Sequence, residues 1–245
     1  MLLSNKTALV TGASRGIGRG IARLFADHGC FVGINYVSNE TAALETEALV
    51  KKTSDGMLLQ GDVSVAEDVK SMVDQLVDKR ASIDVLVLNA GIYLRHGFDE
   101  IDSSVWNQVL QVNLSSCYLL CQQVLPVMNK GGKIIFVSSQ LACKGSAHGA
   151  DYATSKAGML GLMRSLALEL AGVPIYVNAV APGTIDTDII AGYSEKMKKR
   201  RAEMIPLGRL GTAQDVARVC LFLASDLSDY VTGETVQVNG GLYIQ

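Results

Sequence analysis

The stretch "TGASRGIG" (residues 11–18) decides how this chain is read. It packs three glycines and one arginine into eight positions. It lies between the apolar run "TALVT" (7–11), a buried strand, and the amphipathic run "IGRGIARLFADHG" (17–29), a helix ending at Gly29. Glycine lets the backbone and a ligand approach closely. The helix N-terminus behind it offers free N–H groups and a positive dipole end to phosphate. Gly12, Gly16 and Gly18 follow the spacing G-x-x-x-G-x-G, not the commoner G-x-G-x-x-G. Such a spacing says little by itself; its place between a strand and a helix makes it informative.

The strand–helix unit recurs along the chain. Further strands are expected at "CFVGIN" (30–35), "MLLQGD" (57–62), "DVLVLNAG" (84–91), "KIIFVSS" (133–139), "IYVNAVAPG" (175–183) and "ETVQVNGG" (234–241). Helical patterns fall at "ETAALETEALVKK" (40–52) and near 65–80, 103–128, 152–171 and 213–224. Apolar residues run continuously through the strands rather than alternating, which implies burial on both faces. The expectation is an α/β fold: a single-domain, doubly wound parallel sheet of about seven strands, Rossmann-type, covering residues 1–245.

With 49% hydrophobic and 19% charged residues in 245, the chain has material for one large core. A net charge of −2 argues against a nucleic-acid partner, and no apolar run is long enough to span a bilayer. The N-terminus "MLLSNK" lacks the features of a secretory signal, so a cytoplasmic location is expected. Cys30, Cys117, Cys121, Cys143 and Cys220 are scattered without a CxxC pair. They read as buried thiols in a reducing compartment, with a reactive thiol as the alternative for Cys143, and no metal site is expected.

A second stretch, "DYATSKAG" (151–158), places Tyr152 and Lys156 four residues apart on one helix face. A tyrosine ionises near pH 10, too high for a base at neutrality, and a neighbouring ammonium lowers that value. Tyr152 is then able to exchange a proton with an alcohol or carbonyl oxygen. Ser139 ends a strand thirteen residues upstream, where it can bond the same oxygen; Ser138 is the alternative. Asn113, in "VNLSS", lies in the preceding helix.

Taken in order, these motifs resemble the short-chain dehydrogenase/reductase family over essentially the full length. The resemblance implies that residues 12–18, with Gly12, Ser14, Arg15, Gly16, Ile17 and Gly18, wrap the pyrophosphate of a nicotinamide dinucleotide. It implies that Asp62 and Val63 contact adenine, and that Asn89, Ala90 and Gly91 lie beside the cofactor. "PGTIDTD" (182–188), with Pro182, Gly183, Ile185 and Thr187, resembles the segment that holds the carboxamide. Asn113, Ser139, Tyr152 and Lys156 match the family's catalytic tetrad. Tyr152 is then the general acid/base and Ser139 polarises the carbonyl, both touching substrate. Lys156 binds the nicotinamide ribose and tunes Tyr152, and Asn113 holds a relay water. One departure is Leu88, where the family usually has a second asparagine.

The second strand ends "INYVSNE", with neutral Asn35, Tyr36 and Ser38 where an acid would favour NAD(H), and Arg15 can pair with a phosphate. NADP(H) is therefore expected over NAD(H). Within the family, the C-terminal part resembles the 3-oxoacyl-[acyl-carrier-protein] reductases of fatty-acid synthesis. Sugar, polyol or other small secondary-alcohol dehydrogenases are the alternative, and a non-enzymatic NADP(H)-binding regulator is a third. Residues 188–206 resemble the family's substrate lid. Its Lys196, Lys198, Lys199, Arg200 and Arg201, extended by Lys130 and Lys133, form a basic rim that suits an acyl carrier protein; the alternative is a solvated helix face. Against a carrier, "LAGVPIY" (170–176) lacks the arginine that carrier-dependent relatives often have. In "GIYLRHGFDEI" (91–101), Arg95 and His96 read as surface side chains, with substrate contact as the alternative, and Ser146, Ala147 and His148 read as pocket wall. The family resemblance also implies a homotetramer.

Overall fold

The computed structural model describes residues 1–190 and 192–244; Ala191, within the expected lid, and Gln245 lie outside the described residues. The chain alternates strand and helix: β1 (Thr7–Val10), α1 (Gly16–Asp27), β2 (Phe31–Tyr36), α2 (Glu40–Val50), β3 (Gly56–Gln60), α3 (Ala66–Arg80) and β4 (Ile83–Leu88). Then come α4 (Ser103–Leu110), α5 (Ser116–Val124), β5 (Met128–Val137), α6 (Leu141–Lys144), α7 (Ala150–Leu170), β6 (Tyr176–Pro182), α8 (Glu195–Glu203), α9 (Ala213–Ala224) and β7 (Thr235–Val238). The strands make one seven-stranded sheet in the order β3-β2-β1-β4-β5-β6-β7. Every neighbouring pair is parallel.

The unbroken apolar strands are buried on both faces, as their composition requires. On one face Val10, Val32 and Ile135 pack against Ile21 and Phe25 of α1 and Val216 and Cys220 of α9. On the other, Leu9, Leu86 and Ile134 meet Leu76 of α3, Leu120 of α5 and Met163 of α7. At roughly 1.5–3 kcal/mol per buried side chain, these two layers supply the main driving force for folding. The order in which strands are added reverses at β1 and its neighbour β4: β2 and β3 extend the sheet one way, and β5, β6 and β7 extend it the other. The loops after those strands therefore splay apart at the C-terminal edge of the sheet, which is where open α/β sheets bind ligands.

Two expected elements differ. The helix expected over 103–128 is divided: a π-helical turn (Gln111–Ser115) separates α4 from α5, and a 3₁₀ turn containing Pro126 ends the segment. Proline has no N–H to continue the ladder. The π turn has no signature in composition; Asn113 at its centre is held by contacts to a distant loop. Strand β5 also begins earlier than the apolar run suggests, at Met128, through an irregularity in its register with β4.

Candidate active site

The glycine loop is built from backbone. Gly12 and Gly16 have φ of +59° and +57°, and Gly18 has no room for a side chain: a Cβ there would lie 2.4 Å from the Gly12 carbonyl oxygen. Asn89 ties the loop to the end of β4, its Nδ2 donating to the carbonyls of Thr11 (2.8 Å) and Gly12 (3.1 Å). The Thr11 hydroxyl in turn accepts from the N–H groups of Asn89 and Ala90. Arg15, the N-cap of α1, provides no side-chain cap, so nothing from the cap residue covers the first-turn N–H groups. Thr187 closes the far side; a Cβ on Gly16 would lie 3.7 Å from it. An uncapped helix N-terminus behind a close-packed glycine turn fits a pyrophosphate.

Several expected contacts resolve differently. Asn35 is buried at 1% exposure and its amide is fully employed. Its Oδ1 accepts from the Gly12 N–H, and its Nδ2 donates to the carbonyls of Gly61 and Leu59. It is a strut under the glycine loop, not a group facing a ribose. Val63 and Ile185 turn their side chains into the core, which leaves backbone as their means of contact. Asp62 turns back on Ser64, accepting from its N–H (2.8 Å) and its hydroxyl (2.6 Å). Ser38 is exposed beyond the end of β2, and Leu88 sits in the core, paired in register with Phe136.

The tetrad converges at the next crevice. Tyr152 lies in the first turn of α7 and Lys156 one turn later. The Ser139 hydroxyl bonds the Tyr152 phenol, whereas Ser138 is spent on the Lys156 carbonyl at 2.9 Å. Of the two serines, the geometry selects Ser139. Lys156 Nζ donates to the Val137 carbonyl at 2.9 Å and stands 5.7 Å from the Tyr152 ring centre. A Cβ on Gly91 would fall 3.0 Å from Asn113 Oδ1 and 3.3 Å from Lys156 Nζ, so the 89–91 turn fits against both. Asn113 is fully buried, and its side chain is occupied: Oδ1 accepts from the Ile92 N–H, and Nδ2 donates to the Ile92 carbonyl and Ser155. If this residue holds a water, its main chain in the π turn must do so.

Lys156 was expected to lower the Tyr152 pKa. Burial acts more strongly here and pushes the phenol up to about 12, against the opposing bond from Ser139. The same burial draws Lys156 down to about 8. In the free chain at neutral pH the phenol therefore holds its proton, the form that a carbonyl reduction consumes.

A family model described as Enoyl-(Acyl carrier protein) reductase matches residues 12–243. A 3-oxoacyl-[acyl-carrier-protein] reductase FabG of Staphylococcus aureus is 41% identical over 242 residues, covering 98% of each chain. The solved structure of a Serratia marcescens short-chain dehydrogenase/reductase variant superposes with a TM-score of 0.94 at 30% identity, covering 99% of both chains. The chain belongs to the short-chain dehydrogenase/reductase family. It is an oxidoreductase acting between CH–OH and C=O with a nicotinamide cofactor. The structure of the angucycline C-6 ketoreductase LanV, solved with bound NADP, superposes with a TM-score of 0.94 at 29% identity, covering 98% of this chain and 96% of that one.

Around this reductase core, the basic rim divides. Lys196, Lys199 and Arg200 are exposed on α8, but Lys198 is paired with Asp186 at 2.9 Å and Arg201 lies over the Tyr193 ring. Lys130 and Lys133 do not join them. Lys130 is near the start of β5 and Lys133 pairs in register with Tyr176, the first residue of β6, which puts both towards the N-terminal edge of the sheet; Lys133 is buried over Tyr176 and paired with Asp229. Arg95 is more than a surface side chain: it bonds the Tyr193 hydroxyl and caps that ring, joining the 92–97 loop to the lid.

Sequence reasoning missed Arg19 and Tyr93. Arg19 bonds the Ser14 carbonyl through Nε and Nη2, and also Thr46 and Glu45, clamping the glycine loop to α2. Tyr93 stacks on Tyr152 with ring centres 4.5 Å apart. Its only signal was an aromatic residue two places beyond "NAG". Among the described residues, no helix is long and apolar enough to cross a membrane.

Proposed function

We propose that this chain reduces the ketone of 3-oxoacyl thioesters carried by acyl carrier protein, using NADPH, in fatty-acid synthesis. The observation that carries the reduction step is the Tyr152 phenol bonded to Ser139, with Lys156 one helical turn further on. Bound in the crevice, a reduced nicotinamide supplies the hydride to the ketone carbon. Ser139 and Tyr152 donate to the ketone oxygen, and Tyr152 passes its proton to that oxygen as the charge develops. Lys156, charged below about pH 8, stabilises the phenolate left behind and offers its ammonium to the ribose hydroxyls. The other groups assigned to the cofactor are residues 12–18, Asn89, Ala90, Gly91, Pro182, Gly183 and Thr187.

The preference for NADPH rests on a polar recess of about 410 Å³ between the glycine loop and α2, lined by Arg15, Arg19, Asn39, Thr41 and Glu45. Its one α2 carboxylate, Glu45, is already paired with Arg19 at 2.9 Å, while the Arg15–Asp188 pair is loose at 3.5 Å and exposed. A 2′-phosphate there meets a guanidinium that has little to give up. Residues 188–206 act as the lid, and exposed Lys196, Lys199 and Arg200 present positive charge to an acidic carrier. The name of the Staphylococcus aureus relative supports the same substrate.

Acetoacetyl-CoA, crotonyl-CoA and a panel of sugars, each with NADPH and with NADH, test the reading by absorbance at the nicotinamide band. Acetoacetyl-CoA with NADPH is expected to turn over fastest. Faster reduction of crotonyl-CoA would make the chain an enoyl reductase, as the matching family model is described. Turnover of sugars alone, or preference for NADH, overturns the assignment. The proposal includes a homotetramer in the cytoplasm. Tyr118 of α5 and Leu168 of α7 are 51% and 83% exposed and give the helices apolar surface for such contacts. Light scattering on the eluted protein decides the oligomeric state.

A further inference from the structure

Tyr93 is not among the residues to which the family resemblance gives a role, yet the loop after β4 is organised around it. Its ring stacks on Tyr152 at 4.5 Å between centres with 28° between planes. Its hydroxyl donates to the His148 carbonyl at 2.8 Å and lies 3.2 Å from the Ser146 hydroxyl. Directly beneath it, Gly149 has a φ of +153°, and a Cβ there would lie 2.5 Å from Tyr93 Cε2. The turn before α7 therefore depends on glycine to make space for this ring. On its other side, Tyr93 follows Ile92, whose N–H and carbonyl are both held by Asn113. A continuous line of contacts runs from the buried Asn113 through Ile92 and Tyr93 to the phenol of Tyr152.

We propose that Tyr93 is a positioning residue: it fixes the orientation of the Tyr152 phenol by stacking on it and by anchoring to the 146–149 turn. The inference rests on the reading of Tyr152 as proton donor. Two offset rings at this distance attract each other beyond their buried area, and the tether removes the freedom of the upper ring to slide. Tyr152 has an aromatic neighbour on one face and Ser139 at its hydroxyl, so ring rotation and hydroxyl direction are both set. Proton transfer is sensitive to such placement. The charge interaction with Tyr93 also raises the phenol's pKa, beside the larger effect of burial. Removing it should therefore affect catalysis and ionisation together.

The test compares wild type with Tyr93→Phe, which keeps the stack and loses the tether, and Tyr93→Leu, which loses both. For reduction of acetoacetyl-CoA by NADPH, Tyr93→Leu is expected to lower kcat on the order of 10–100-fold, with Tyr93→Phe intermediate. KM and the Kd for NADPH should stay within about threefold. In the oxidative direction Tyr152 works as a base, and the pH at which its limb rises should move down in Tyr93→Leu.

A readout independent of activity comes from spectra of ring-labelled tyrosine in the whole protein, with Tyr152 assigned through Tyr152→Phe. Wild type should give one narrow Tyr152 signal, and Tyr93→Leu a shifted and broadened one. A wild-type kcat with an unmoved Tyr152 signal overturns the proposal. So does a loss confined to KM, which would make Tyr93 a substrate contact only, or a loss restored fully in Tyr93→Phe with no change in the pH limb, which would reduce it to packing. If no 3-oxoacyl thioester is turned over, the substrate reading fails while the tyrosine spectra still decide the role of Tyr93.

Discussion

The same seven strands end in two unlike edges. At the N-terminal edge, side chains close the sheet. Asp84 accepts from the Thr7 N–H (2.8 Å), Asn129 (2.9 Å) and Lys6 (3.3 Å), Lys133 is sealed between Tyr176 and Asp229, and Arg80 stacks on Phe31. At the C-terminal edge the close contacts are made by backbone and by small residues. The glycine loop, the 89–91 turn and the 182–187 segment come together there, and the N-terminus of α1 behind them has no side-chain cap from Arg15. One edge spends its polar groups on itself and contributes stability. The other leaves the start of α1 without a side-chain cap and brings Ser139, Tyr152 and Lys156 together, and that is where chemistry is possible. The division can be broken from either side.

The largest expected effect on stability comes from Asp84→Ala. It strands the buried Thr7 N–H and frees Asn129 and Lys6, which should lower unfolding free energy by about 2–3 kcal/mol in denaturant titration. Turnover per folded molecule should not change. Gly18→Ala attacks the other edge. Its methyl meets the Gly12 carbonyl and must push α1 off the loop, costing about 1–3 kcal/mol. Unlike Asp84→Ala, it should also weaken NADPH binding about tenfold or more, since the phosphate cradle itself moves. Fluorescence titration of the nucleotide measures this.

The pH dependence sharpens the comparison. Burial depresses the Lys156 pKa to about 8, so the ammonium is present below that pH and lost above it. The rate of reduction should therefore fall as pH rises through about 8, and the fall should be absent in Lys156→Met, whose residual rate is low throughout. The linked stability has a definite sign. A lysine with a lowered folded pKa binds fewer protons folded than unfolded, so its contribution to stability rises as pH climbs from about 8 towards 10.5. The smallest effect is expected from Lys133→Met, which removes a cation from the closed edge. A change of about 1 kcal/mol in stability and none in kcat or carrier binding is expected, and the last distinguishes it from Lys199→Glu on the lid.

Much of this was readable from residues whose reason is local. Continuous apolar strands require two covered faces, and with the strand–helix alternation that led to the parallel sheet. Gly12, Gly16 and Gly18 showed themselves because only glycine meets their backbone and space requirements. Tyr152 and Lys156 showed themselves because four residues make one helical turn. The parts that stayed hidden depend on pairs distant in sequence. Asn35 reads as a neutral residue at a strand end, and only the fold reveals that Gly12 and Gly61 use up its amide. Lys133 reads as part of a basic patch until the strand register carries it to the opposite edge. Tyr93 and Arg19 gain meaning only from partners 55 and 27 positions away, His148 and Thr46. The ionisation of Tyr152 was misjudged for a related reason: spacing shows which charge is near, but not how completely water is excluded.

The measurement that bears most directly on the account is a single-turnover reaction of Tyr152→Phe with NADPH and acetoacetyl-CoA. The phenylalanine keeps the ring and its stack and removes only the hydroxyl. NADPH should bind within about twofold of wild type, while its oxidation slows on the order of 10³-fold or more. A variant that binds NADPH and oxidises it at the wild-type rate would contradict the claim that this phenol delivers the proton.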